Sequence, residues 1–138
     1  MKIFFLSPRP DESGNRFLDE VASLAGRENL EIFRDLSSFA VRVRQSKDPE
    51  SIALVFDPSD IELRGLGTLR DFLQDTRILL VLHDQNAETI ALAHRLFPTY
   101  IASIDNDLAE VLAIVGRLLK GRAAAPPVVK SGLRGSQN

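Results

Sequence analysis

Ile52-Ala53-Leu54-Val55-Phe56-Asp57-Pro58-Ser59-Asp60 decides the fold. Five consecutive apolar residues without polar alternation suit a strand covered on both faces, as in a parallel sheet flanked by helices. Similar short runs stand at Ile3–Leu6, Leu30–Phe33, Ile78–Leu82 and Tyr100–Ile104. The five starts are spaced by 27, 22, 26 and 22 residues, the length of a strand plus a returning helix. Leu30-Glu31-Ile32-Phe33 is more polar than the others and Tyr100–Ile104 is mixed, so both suit sheet edges. These features predict a doubly wound (βα)5 domain of the α/β class, a three-layer sandwich with strand order 2-1-3-4-5.

The intervening segments carry helix punctuation. Phe17, Leu18, Val21, Leu24 and Ala25 form an apolar stripe after Ser13, and Gly26 is placed to end it. A weak second helix is expected around Ser38–Gln45, with Arg42, Arg44 and Lys47 on a solvated face. Thr68 with Asp71 looks like a capping box for a third helix through Leu69, Phe72 and Leu73. Asn86 is expected to cap a helix that stops before Pro98, while Asp84 has the same capping chemistry. Asp107 with Glu110 starts the last helix, which Lys120-Gly121 closes.

Composition narrows the class of function. The chain has 138 residues, 44% hydrophobic and 26% charged, which suits one soluble domain. It lacks cysteine and any apolar run of about 20 residues, so a cytoplasmic protein without disulfides or a membrane span is expected. Residues 1–119 hold 13 basic and 19 acidic side chains, a net of −6, so no nucleic-acid partner is expected for 1–120. Residues 121–138 are read as a flexible basic tail or linker. No nucleophile–base pair stands out, and a non-enzymatic role is expected.

In a doubly wound sheet ligands bind beyond the carboxyl ends of the strands, where strand order reverses. Ser7 to Glu12 and Asp57 to Asp60 fall at that point, with His83-Asp84 and Asp105-Asn106-Asp107 after the fourth and fifth strands. Over roughly 1–120, this layout resembles the receiver domain of bacterial two-component response regulators. Ile52–Asp57 resembles the receiver's third strand ending in its phosphate-accepting aspartate. The resemblance implies a flavodoxin-like fold and places the acceptor at Asp57. It also implies four groups that the sequence lacks. The Mg2+-binding acid pair falls on Ser7 and Pro8, the phosphate-binding hydroxyl on Leu82, and the lysine on about Ser103. Tyr100 matches the aromatic switch position.

The expected reading is therefore a degenerate receiver, a pseudo-receiver acting as a protein-interaction module. Its pocket keeps one carboxylate, Asp57, with neither a divalent-ion cradle nor a cationic clamp. Alternatively, Asp57 only accepts backbone hydrogen bonds in the Asp-Pro turn. No cofactor is required, although Asp57, Asp60 and Asp11 form a candidate Mg2+ set. An atypical, phosphorylatable single-domain regulator is the second reading. A third is a flavodoxin-like FMN protein, with Ser13-Gly14-Asn15 as part of a phosphate loop. The partner is expected to be a protein, and Arg95, Tyr100, Glu110, Arg117 and Lys120 mark a candidate face for homodimerisation. Gly65-Leu66-Gly67 matches no nucleotide-binding loop, and His83 and His94 lack neighbours at metal-ligand spacing.

Overall fold

The computed structural model describes residues 1–9, 11–45, 50–83 and 85–123. Five parallel strands, β1 (Lys2–Leu6), β2 (Leu30–Phe33), β3 (Ser51–Phe56), β4 (Thr76–Leu82) and β5 (Tyr100–Ser103), alternate with five helices. These are α1 (Glu12–Ala25), α2 (Leu36–Gln45), α3 (Asp60–Gly67), α4 (Ala87–His94) and α5 (Leu108–Ala123). The strand order is β2-β1-β3-β4-β5, as expected, and the two polar runs form the edges. All six residues of β3 are buried, which explains why that segment lacks alternation.

The period-two geometry of strands splits the core into two layers. Ile3, Phe5, Leu54, Phe56 and Val81 face α1 and α5, where they meet Phe17, Val21, Val111 and Val115. Phe4, Leu6, Val55, Leu80 and Leu82 face the other helices and meet Phe39, Val43, Leu63 and Leu92. Aromatic rings reinforce each layer. Phe5, Phe17 and Phe56 stack on one side, while Phe4, Phe33 and Phe39 pack edge to face on the other.

Several local expectations need correction. The third helix begins at Asp60, eight residues ahead of Thr68. Ser59 caps it, and Ser59 and Glu62 exchange both bonds of a capping box. Thr68 instead sits at the C-terminus of α3 and donates its hydroxyl to the Gly65 carbonyl at 2.6 Å. The segment after it tightens into a 3-10 turn at Arg70–Phe72. The reason is chemical: a capping box needs Glu or Gln at its far end, and Thr68 has only the shorter Asp71 there.

Helix α1 starts at Asp11, whose carboxylate accepts the Gly14 amide at 2.7 Å, rather than at Ser13. Gly26 ends it in a left-handed conformation (φ 87°), as expected. Asn86 caps α4 as expected. Helix α5 runs to Ala123, past the expected stop at Lys120-Gly121. Arg42 is not a solvated-face residue, because it grips Glu31 at 2.7 and 3.0 Å and covers the Phe4 ring. The expectations for Lys47, Asp84 and tail residues 124–138 lie outside the described residues.

Candidate functional site

The chain leaves β1 toward β2 on one side and later returns to form β3 on the other, so the switch crevice lies between the ends of β1 and β3. Only Asp57, Pro58 and Ser59 separate β3 from α3. The Asp57 amide donates to the Val81 carbonyl at 2.7 Å, and the Ser59 amide donates to Glu62 Oε1 at 2.7 Å. This short reversal holds Asp57 in the left-handed region, with φ 55°. Aspartate tolerates that region better than most residues, yet it remains strained there, and such strain gathers at functional sites.

Arg9, from the loop after β1, reaches this turn. Its Nη2 donates to the Asp57 carbonyl oxygen. Its Nη1 lies 3.2 Å from Glu62 Oε1 and its Nε lies 3.9 Å from Asp57 Oδ2. The expectation of a pocket without a cationic group is therefore wrong: Arg9 supplies one. Burial nonetheless pushes the Asp57 carboxyl above the usual aspartate range. The charges of Arg9 and His83 oppose that rise, while Asp11 and Glu62 add to it. Desolvation prevails because the guanidinium is at the outer limit of ion pairing and is shared with Glu62. No backbone amide among the described residues donates to the Asp57 carboxylate. Ser59 and Glu62 build the turn instead.

The remaining pocket positions are occupied by other duties. Ser7 is buried, its amide donates to the Phe33 carbonyl, and its Oγ has no partner among the described residues. Pro8 is half-buried, and Leu82 belongs to the core. Ser103 closes the turn into α5, its amide donating to Asp107 Oδ2 at 2.9 Å and its Oγ accepting from the Asp105 amide at 3.3 Å. The candidate carboxylates are likewise committed. Asp11 caps α1, and Asp60 Oδ1 accepts the Thr89 hydroxyl at 2.7 Å, tying α3 to α4.

This donor set does not fit Mg2+. A hard cation needs available carboxylate oxygens, whereas Asp11 and Asp60 are engaged by the Gly14 amide and the Thr89 hydroxyl. Ser7 and Pro8 carry no charge, and a guanidinium stands against Asp57. No three metal-ligating side chains converge among the described residues. The FMN reading also loses its loop, because Ser13-Gly14-Asn15 lies within the first turns of α1. Gly14 lies there close under Phe56: a Cβ would come within 3.1 Å of its ring, a tight contact.

At the candidate face, Arg95, Glu110, Arg117 and Lys120 are exposed and Tyr100 is half-buried. Burial, then the charges of Asp107 and Glu110, push the Tyr100 hydroxyl up. Sequence reasoning missed the Arg9–Asp57–Glu62 cluster. Its available signal was a single cation among the acids of the two loops at the switch point, but the capping glutamate became visible only once α3 was placed.

No protein-family model matches the sequence, and no curated protein does either. Among solved structures, the fold is similar to the phosphorylated cyanobacterial phytochrome response regulator RcpA. The two share 14% identity over 94% of this chain and 99% of that one, with a TM-score of 0.64. It is also similar to the RcsB response regulator of Salmonella typhimurium, at 12% identity and a TM-score of 0.61. That match covers 88% of this chain and 60% of RcsB. A de novo designed Rossmann 2x3 protein matches as well, at 17% identity and a TM-score of 0.59, covering 94% and 98% of the two chains. The likeness is therefore one of fold, the flavodoxin-like fold of receiver domains. No helix among the described residues is long and apolar enough to cross a membrane.

Proposed function

We propose that the chain is a signalling module of receiver fold that works by docking a protein partner and does not use Mg2+-dependent phosphotransfer. The observation that carries this reading is Arg9 lying across Asp57 and Glu62. The guanidinium lies 3.9 Å from the Asp57 carboxylate, and one cation beside it opposes the approach of a second by charge. Ser7 and Pro8 offer no acid, and Leu82 offers no hydroxyl to a phosphoryl oxygen. The test is intact-mass measurement after incubation with a small phosphodonor and Mg2+. The expected result is an unmodified chain, and an added phosphoryl group that Asp57→Asn abolishes would overturn the proposal.

A cation beside the acceptor position also favours a second reading, a phosphorylatable domain in which Arg9 replaces the metal. Its signature is modification of Asp57 that persists in chelator and disappears in Arg9→Ala. Self-association through Tyr100, Glu110, Arg117 and Arg95 belongs to the docking reading, and sedimentation at two concentrations tests it.

A further inference from the structure

Away from Asp57, a groove of about 370 Å³ runs between α3 and α4. Phe97 supplies its exposed apolar surface, the buried Leu63 and Leu92 lie beneath, and Arg64, Arg70 and Arg95 complete the lining. Its volume is within the range of specific binding clefts. No acid lines it, although the body of the chain carries a net of −6. Glu88 pairs with Arg64 at 3.0 Å. Arg95 has no ion-pair partner among the described residues. Arg70 stacks over the Phe97 ring at 4.5 Å from its centroid, which leaves the guanidinium edge available.

Phe97 is the second unusual feature. It is 73% exposed and left-handed, with φ 50°. A glycine would make this turn after α4 without the steric cost, and an exposed phenyl ring does nothing for the core. Strain combined with exposure points to a surface role.

We propose that this groove docks an acidic peptide segment of a partner protein. An apolar anchor packs against Phe97, and carboxylates pair with Arg95 and Arg70. Charge complementarity selects this occupant. The apolar lining asks for a side chain rather than a bare anion, and Asp71, in the adjoining cavity of about 250 Å³, opposes a densely charged nucleic-acid backbone. The inference rests on the reading of the chain as a docking module, but not on the chemistry of Asp57.

Amide NMR titration of the full chain tests it. The probe is an amphipathic peptide of glutamate and leucine, with controls in which lysine replaces every glutamate and a short single-stranded DNA. The expected shifts are confined to α3, α4 and Phe97, and Arg95→Glu weakens binding about tenfold. Phe97→Gly also weakens it while leaving the melting temperature equal or higher, an effect that lost folding cannot mimic. Absence of shifts there, equal binding of the lysine peptide, stronger binding of DNA, or indifference to Arg95→Glu would each overturn the proposal. Asp57→Asn is expected to leave the titration unchanged, so labelling of Asp57 would defeat the proposed phosphotransfer-independent function without touching this one.

Discussion

Asp57 combines two stresses that share one cause, the three-residue turn between β3 and α3. Its backbone is left-handed and its carboxylate is partly desolvated, with Arg9 at the limit of reach. Because burial raises its folded value above the ordinary 3.8, the folded chain binds the proton more tightly than the unfolded chain. Ionised Asp57 therefore subtracts from stability. That deficit is full above the raised value and vanishes below the ordinary one. Asp57→Asn, which also tolerates the left-handed region, is expected to match or exceed wild-type stability at neutral pH. The gap should close as pH falls toward 3.8, as followed by urea unfolding across pH. Asp57→Ala lacks that tolerance and should be less stable than Asp57→Asn by about 1 kcal/mol.

At the scale of elements, close approaches and paired charges set the tolerances. Gly14→Ala gains helix propensity, but the new methyl meets the Phe56 ring at 3.1 Å and Asp11 Oδ1 at 3.2 Å. A net loss of about 1 kcal/mol in urea unfolding is expected. At the β2 edge, hydrogen bonding to Arg42 is the main cause that holds the Glu31 carboxyl below its ordinary 4.5. That contribution is present above 4.5 and is lost as pH falls through the lowered folded value. Glu31→Gln should cost about 0.5–1 kcal/mol at neutral pH and progressively less under acid. The strands were legible because burial on both faces writes itself as unbroken apolar runs, and edge strands as mixed ones. Helix boundaries were less so. Thr68 and Ser59 both begin capping patterns, and only reciprocal bonding with a residue of Glu62's length separates them.

For the whole molecule, topology alone located the crevice, because strand order dictates where loops from β1 and β3 meet. Ser7, Pro8, Leu82 and Ser103 could be placed at the strand ends from the apolar runs alone. Arg9's engagement was not, because a side chain's reach across two loops has no periodicity to betray it. The same holds for Phe97, whose left-handed backbone has no sequence signature beyond its place before Pro98. The proposal that Asp57, in a receiver fold, answers to an arginine rather than to a metal meets its most direct test in one titration. Amide spectra of the full chain are recorded as Mg2+ and then beryllofluoride are added. The resonances of Asp57, Arg9 and the loops after β1 and β3 are expected to stay in place. A saturable shift of those resonances, absent in Asp57→Asn, would contradict it.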